Sequence, residues 1–347
     1  MKRSIWQRVT ALVVSVLIAF PAAFITLTQT ASAASRPFTL RYSADLTGDI
    51  VFAANTILTC PTSTTCSNVR TGATAGINNN YSMVYVDADA DSSTFNSSAS
   101  SLNLPAGSTV TFAGLYWGAV SSASAASSVK FKVPGATTYT TVTASSFDTI
   151  GSVYSAFANV TTSVAAAGNG TFWAADIRAT QGSGSHGGWA LVVQYSFPGS
   201  KTRNCSIFDG LDSVGSGSPK SVTVSGFRTP PAGTVSTKLG VIAYEGDRGT
   251  TGDALSLNAT VMSDAVNPAN DFFNSSLTNG GSHVTGNAPG YLNNLGFDAD
   301  IVNVSNPGNA VLANNATTAK IDLTSTGDVY YPAVVTFCTE LYAPQIV

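Results

Sequence analysis

Charged residues are scarce in this sequence. Only 10% of its 347 residues are Asp, Glu, Lys or Arg, and the formal net charge is −3. Phosphate backbones are bound by basic surfaces, so this composition excludes nucleic acid as an expected partner. Hydrophobic residues make up 44% of the chain. Solubility therefore depends on Ser, Thr, Asn and Gly more than on ionic groups.

Cysteine and histidine are also few, with four and two residues. Neither pair of neighbouring cysteines has the two-residue spacing of zinc sites. The chain contains no Gly-x-Ser-x-Gly elbow and no phosphate-binding loop with its lysine. Neither a serine hydrolase of that type nor a P-loop nucleotide-binding enzyme is therefore predicted. A hydrolase that uses paired carboxylates such as Asp298 and Asp300 is a weak alternative. Acids two residues apart on one strand share a face and do not oppose each other across a cleft.

The N-terminus has the pattern of a secretory signal peptide. Lys2, Arg3 and Arg8 precede an apolar run over residues 11–27, and Ala31-Ser32-Ala33 follows as a small-residue cleavage site. This site disfavours the alternative of a retained membrane anchor. Cleavage after residue 33 leaves 13 basic against 19 acidic residues, a formal charge of −6. We therefore expect a secreted protein with no membrane span after cleavage.

The four cysteines suit an oxidising compartment. Cys60 and Cys66 flank a short polar stretch, and Cys205 and Cys338 lie near the two ends of the C-terminal half. Three pairings are possible, and proximity in sequence favours Cys60–Cys66 with Cys205–Cys338. Two buried free thiols are the alternative for the second pair.

Strand patterns dominate the mature chain. Residues 130–133 and 320–324 alternate polar with apolar side chains, as half-buried strands do. Residues 189–195 and 334–337 are continuously apolar, which is typical of strands covered on both faces. No mature segment of ten or more residues has helical periodicity. The sequence predicts an all-β protein of β-sandwich or jelly-roll architecture.

An internal repeat suggests two domains. Landmarks in the first half recur in the same order in the second half: 113–118 with 239–246, 130–133 with 254–257, 158–161 with 302–305, 168–171 with 314–317, and 191–193 with 333–335. We interpret these as two tandem β-sandwich domains related by duplication, at residues 34–199 and 200–347, after a signal peptide at 1–33. Chance likeness between strands rich in Ser, Thr, Gly and Val is the alternative.

Several longer strings resemble one known module. They are GDIVFAANTILTC, NNNYSMVYVDADADSSTFNSS, TFAGLYWGA, GWALVVQYS, FDGLDSV, SGFRTPP, AYEGDRGTTGD, GFDAD and YYPAVVTF. Together they resemble the N-terminal module of large exported bacterial surface proteins, which often precedes arrays of immunoglobulin-like "conserved repeat domains". The resemblance covers nearly the whole mature chain. It implies export, β-sandwich architecture and association with the cell surface, and it implies no assigned activity.

Two acidic loops are candidate binding sites. Asp87, Asp89 and Asp91 alternate along the chain and could bind Ca²⁺ if the backbone turns there, with a solvated acidic loop as the alternative. Glu245, Asp247 and Asp253 belong to a glycine-rich loop at a strand end that could bind a cation or a sugar hydroxyl. A plain structural turn, in which Arg248 pairs with Asp247 or Asp253, is the competing interpretation.

The leading functional hypothesis is therefore a secreted, non-catalytic structural or adhesive module, released or associated with the cell surface. Its expected partner is an envelope or extracellular polymer, either glycan or protein. A carbohydrate-binding tandem sandwich that depends on calcium is the alternative from another class. It requires exposed aromatic residues near the acidic loops.

Overall fold

Strands make up nearly all of the regular structure. The structure, a computed structural model, describes residues 36–121 and 126–342, and the predicted signal peptide lies outside these ranges. The first-half strands are β1 (Arg36–Thr56), β2 (Leu58–Thr59), β3 (Val84–Tyr85), β4 (Ser97–Leu102), β5 (Thr109–Val120), β6 (Ser128–Lys132), β7 (Thr140–Thr143), β8 (Ser146–Ile150), β9 (Val153–Asn159), β10 (Gly170–Ala175) and β11 (Gly187–Ser196). The second-half strands are β12 (Thr202–Leu211), β13 (Lys220–Ser225), β14 (Thr237–Tyr244), β15 (Asp253–Leu257), β16 (Thr260–Val261), β17 (Leu277–Asn279), β18 (Phe297–Asn303), β19 (Thr318–Ser325) and β20 (Tyr331–Glu340).

Helices are short. The described residues contain α1 (Thr64–Arg70), α2 (Thr161–Ala167) and the 3-10 turns Asn78–Asn80 and Pro307–Asn309. No helix in the described part of the chain is long and apolar enough to cross a membrane. The predicted all-β class is confirmed.

Side-chain burial follows the sequence pattern. On β6, Val129 and Phe131 are buried while Lys130 and Lys132 are half-buried, so this strand covers the core with one face. On β11, the run from Trp189 to Val193 is buried at every position. The alternating pattern thus belongs to an outer sheet, and the continuous pattern belongs to a strand covered on both faces.

One sheet runs through both halves of the chain. Ten strands pair in the order β17-β18-β14-β20-β12-β1-β11-β5-β9-β8, and two four-stranded sheets have the orders β4-β10-β6-β7 and β13-β19-β15-β16. Outward from the central β1–β12 pair, the order β1-β11-β5-β9-β8 on one side matches β12-β20-β14-β18-β17 on the other. The aligned landmark strands β5 and β14, β6 and β15, β9 and β18, and β11 and β20 occupy equivalent places in these orders.

The apolar interior has three parts. One cluster includes Trp117 and Phe131 and consists of first-half residues apart from Leu295, while a second includes Val241 and Leu323 and lies in the second half. The third cluster joins first-half side chains such as Tyr116 to second-half side chains such as Phe297. Since Tyr116 and Trp117 are adjacent on β5, the large sheet buries apolar side chains on both faces. All described residues belong to one compact unit, and the division at residue 199 stays a prediction.

Two disulfides reinforce this arrangement. Cys60 pairs with Cys66, and Cys205 pairs with Cys338. These are the two pairs that the sequence favours. Cys205 and Cys338 lie directly opposite each other on the neighbouring strands β12 and β20. Structural disulfides of this kind are typical of proteins in oxidising compartments.

Removal of the Cys205–Cys338 bond is expected to destabilise the protein more than removal of the Cys60–Cys66 bond. The two loops span 133 and 6 residues. The chain-entropy relation gives about 5 kcal/mol for the long loop and about 2 kcal/mol for the short one. Guanidinium unfolding of the Cys205→Ala/Cys338→Ala and Cys60→Ala/Cys66→Ala variants measures both. Equal losses in the two variants would contradict this prediction.

Candidate metal centre

Three carboxylates from two distant loops meet at the end of β14. Glu245 and Asp247 follow the last residue of β14, and Asp328 lies in the turn between β19 and β20. One carboxylate oxygen from each lies within 4.8 Å of the other two. The backbone N–H of Asp247 also donates to Asp328 Oδ2 at 3.2 Å. We call Glu245, Asp247 and Asp328 the outer cluster.

The path of the loop explains why its residues are so close. Glu245 has φ 74°, so the chain turns through the left-handed region immediately after β14. Gly246 then lies against the carboxylate of Asp298 and the backbone oxygen of Phe273, at a distance that leaves no space for a Cβ. The glycine therefore lets the loop lie directly on β18 and brings Asp247 into the interior.

Burial and mutual repulsion disfavour the charged forms of the outer cluster. Burial raises the pKa of Glu245 to about 8, with repulsion from Asp247 and Asp328 adding to the shift. Burial and then repulsion from Asp328 raise the pKa of Asp247 to about 7. Burial also raises the pKa of Asp328. Like charges held together in a poorly solvated place have this effect, and a nearby cation would reverse it.

No basic side chain supplies that cation. Among residues 36–121 and 126–342, no Lys or Arg forms a salt bridge with the outer cluster. Arg248 donates instead to the backbone oxygen of Leu292 at 3.2 Å. The pairing of Arg248 with Asp247 or Asp253, considered from the sequence, is therefore not formed.

Asp247 carries the clearest sign of a missing partner. The residue is 2% exposed, and its Oδ1 atom is buried without a hydrogen-bond donor. An unpartnered buried carboxylate oxygen is costly, so groups of this kind are normally paired or coordinate a metal. Carboxylate oxygens are hard donors that suit Ca²⁺ and Mg²⁺. The outer cluster thus has the donor type and the charge of a hard-cation site.

Asp271 and Asp253 add negative charge beside the outer cluster. Asp271 accepts the backbone N–H of Gly249 at 3.0 Å and so ties down the middle of the loop. Asp253, the third loop residue predicted from the sequence, accepts the N–H of Phe273 at 2.8 Å, and its own pKa is raised to about 7 by burial. The structure thus places Asp253 beside the outer cluster without including it.

The first predicted acidic loop has a different environment. Ser97 Oγ lies 2.9 Å from Asp87 Oδ1 and 3.0 Å from Asp89 Oδ1. Asp89 Oδ2 accepts the Tyr139 hydroxyl at 2.6 Å and pairs with Lys132 at 3.4 Å. Burial alone would raise the pKa of Asp89, but these hydrogen bonds lower it.

Asp91 completes that loop and accepts the Ser93 hydroxyl at 2.6 Å, which lowers its pKa. Among the described residues, the group of three acids that meets the metal-ligand distance is the outer cluster and not Asp87, Asp89 and Asp91. Side-chain hydroxyl groups of the protein already donate hydrogen bonds to each of these three acids. Calcium at this loop stays a prediction.

Sequence reasoning found Glu245, Asp247 and Asp253 but missed Asp328. Asp328 lies 81 residues beyond Asp247, so no local pattern connects the two. The two loops meet because β20 pairs antiparallel with β14, which places the turn before β20 beside the end of β14.

Comparisons with known proteins add little to this geometry. No family model and no curated protein matches the chain. Among solved structures, BuGH86 in complex with neoagarooctaose is similar at 9% identity and a TM-score of 0.26, with 76% of this chain and 32% of that chain covered. The β-porphyranase BpGH86A from Bacteroides plebeius is similar at 12% identity and 0.26, with 76% and 39% covered.

PNGase F from Flavobacterium meningosepticum, a glycosylasparaginase, is similar at 12% identity and a TM-score of 0.21, with 84% and 98% covered. The chain spans about a third of the length of the glycoside hydrolases that it matches. Likeness at TM-scores this low carries no argument about function.

Proposed function

We propose that this protein is an extracellular, non-catalytic structural or adhesive module whose loops at the end of β14 are fixed by a bound calcium ion. The observation that carries the proposal is the buried, donor-less Oδ1 of Asp247 inside a cluster of three carboxylates with no basic partner. A divalent cation would neutralise the cluster and join the β14–β15 loop to the β19–β20 turn. Calcium suits the site because it accepts several carboxylate oxygens in irregular geometry.

Two disulfides and a densely buried β-interior support the extracellular structural role. Asp298 and Asp300, the acids of the hydrolase alternative, lie on one strand and are fully buried. A pair of hydrolytic carboxylates must reach a substrate from both sides. This placement favours the structural role.

Calorimetric titration of the chelator-treated protein with Ca²⁺ tests the cation. We expect saturable binding that Asp247→Asn or Asp328→Asn weakens at least about tenfold, since each variant removes one charged ligand. Asp322→Asn is the matched control, because Asp322 pairs with Lys320 on β19 away from the cluster. Equal binding by all four proteins, or no binding by any, would contradict a calcium site at the outer cluster.

The adhesive role has a separate test in the producing cells. Fractionation of the culture should recover the protein with the wall or matrix, and a chelator wash should reduce that fraction. Recovery only in the free medium, with or without chelator, would argue against adhesion while leaving calcium binding intact.

One surface favours carbohydrate binding as a second candidate. Trp173 is half-buried on the outer sheet, in a groove of about 320 Å³ that Lys132 and Thr171 also line. Lys132 Nζ lies 5.1 Å from the Trp173 ring and 4.3 Å from the Tyr139 ring. A sugar could use the free edge of this aromatic pair. Loss of glycan-array binding in Trp173→Ala, but not in Tyr342→Ala, is the expected result, and equal binding by both would contradict it.

A further inference from the structure

A segment of the first half packs against the loop that precedes β18. The backbone N–H groups of Leu292 and Asn293 both donate to the backbone oxygen of Arg70, at 2.8 and 3.2 Å. The side-chain amide of Asn293 is buried and donates to the backbone oxygen of Gly76 at 2.9 Å. Residues 70–76 of the first half are therefore fixed against the second half.

Asn78 brings this segment to the residue that begins the outer cluster. The backbone N–H of Glu245 donates to the backbone oxygen of Gly296 at 2.8 Å. A Cβ at Gly296 would lie 3.2 Å from Nδ2 of Asn78. Gly296 thus contacts the backbone of Glu245 and the side chain of Asn78, and its lack of a side chain permits this close approach.

The Asn78 amide is buried and lacks partners. The residue is 0% exposed, and neither Nδ2 nor Oδ1 forms a hydrogen bond. A buried polar group without a hydrogen bond costs about 1–3 kcal/mol, so native structures retain few of them. The backbone oxygen of Asn78 accepts the N–H of Tyr81 at 3.2 Å. The unpaired amide therefore belongs to a hydrogen-bonded turn.

Glu245 is the charged group that this amide can serve. Burial and repulsion from its two neighbours in the outer cluster raise the pKa of Glu245 to about 8, and the Asn78 amide acts in the opposite direction. A hydrogen-bond donor beside a carboxyl group favours the charged form of that group. Binding of a cation releases the Glu245 proton. The resulting carboxylate is the acceptor that Nδ2 of Asn78 lacks.

We infer that Asn78 is the positioning residue of Glu245, whose carboxylate it orients toward the cation of the outer cluster through its amide N–H. This inference rests on the proposed calcium site. Carboxylates that bind metals are themselves held by hydrogen bonds from residues outside the ligand set. Because Asn78 belongs to the first half and the three ligands belong to the second, one ion joins the two halves of the chain.

A double-mutant cycle on calcium affinity tests the pairing of Asn78 with Glu245. Calorimetric titration of the full mature chain should show that Asn78→Ala weakens binding about 10- to 100-fold, the usual loss for an outer contact. In the Glu245→Ala background the same substitution should have almost no effect, because the carboxylate that Asn78 orients is gone. Asn79→Ala is the matched control, since Asn79 is an exposed residue of the same 3-10 turn.

Asn78→Leu provides a second variant if Asn78→Ala does not fold. It keeps the branched shape of the side chain and removes only the polar atoms, which are buried without partners. We therefore expect a melting temperature in chelator close to that of the wild-type protein and a loss of calcium affinity like that of Asn78→Ala. A large fall in melting temperature with unchanged calcium affinity would show a purely structural role.

Carboxyl NMR titration in chelator measures the same pairing without calcium. Removal of the donor in Asn78→Ala should raise the pKa of Glu245 above its wild-type value, and Asn79→Ala should leave it unchanged. A Glu245 pKa that is equal in all three proteins would overturn the positioning role.

The calorimetric outcomes separate this inference from the proposed function. Calcium binding that Asn78→Ala leaves unchanged, or weakens equally in the wild-type and Glu245→Ala backgrounds, would overturn the positioning role alone. No calcium binding by any of the proteins, the wild type included, would overturn the outer site and the positioning role together.

Discussion

Calcium is expected to raise the melting temperature of the chelator-treated protein by about 6 °C at pH 8. At a concentration about 1000 times its dissociation constant, an ion that binds only the folded state contributes about 4 kcal/mol. For a chain of this size, 1 kcal/mol corresponds to roughly 1.5 °C in melting temperature. An ion bound by the outer cluster would contribute such a gain. Differential scanning calorimetry with and without calcium measures the shift.

The effect of acid-to-amide substitutions on the melting temperature is expected to reverse between chelator and calcium. In the presence of chelator, Asp247→Asn and Asp328→Asn should melt above the wild-type protein, because each removes a charge that is repelled by its neighbours. In calcium the order should reverse, because each variant has lost a ligand. Asp322→Asn should behave as the wild-type protein in both conditions. A wild-type shift that survives in Asp247→Asn/Asp328→Asn would contradict the assignment of these ligands.

The metal-free protein is expected to lose stability as the pH rises from about 5 to 8. The pKa of Asp247 and of Asp253 is raised to about 7, and that of Glu245 to about 8, chiefly by burial. In this window the folded state holds protons that the unfolded state has released, so raising the pH favours unfolding. One pKa unit corresponds to about 1.4 kcal/mol, so the total loss should reach several kcal/mol.

Thermal melts in chelator at pH 5 and pH 8 measure this effect, and we expect a fall of about 5 °C or more. Saturating calcium should remove the fall, because the ion binds the deprotonated carboxylates and its affinity increases with pH. The stabilisation by calcium should therefore be small at pH 5 and large at pH 8. A metal-free protein that is equally stable at both pH values would contradict the assigned repulsion.

Local patterns were sufficient to predict the class of fold. Alternation at residues 130–133 predicted a strand with one covered face, and β6 has that burial. The continuous apolar run from Trp189 predicted a strand covered on both faces, and β11 is such a strand. These features depend only on neighbouring residues, which is why the sequence shows them directly.

Contacts between residues far apart in the sequence could not be predicted in the same way. The sequence suggested that Asp298 and Asp300 share a face, and it gave no sign that both faces of β18 are covered. That burial depends on β14, β17 and the 273–278 segment coming together. Asp328 likewise reaches Asp247 only through the register of β20 against β14.

The two acidic loops also show why charge pattern alone misleads. Asp87, Asp89 and Asp91 have the more regular spacing, but Ser97, Lys132 and Tyr139 donate to Asp87 and Asp89 from elsewhere in the chain. Asp247 Oδ1 has no such partner in the described chain. Spacing in the sequence does not reveal whether distant donors reach an acidic loop. The presence of such donors distinguishes a loop whose carboxylates are hydrogen-bonded from a cation site.

A crystal structure of the protein soaked with Tb³⁺ in place of calcium tests the account most directly, because anomalous scattering locates each ion. We expect an anomalous peak bound by Glu245, Asp247 and Asp328. Anomalous peaks confined to other acids, or a lysine or arginine side chain in contact with Asp247, would contradict it.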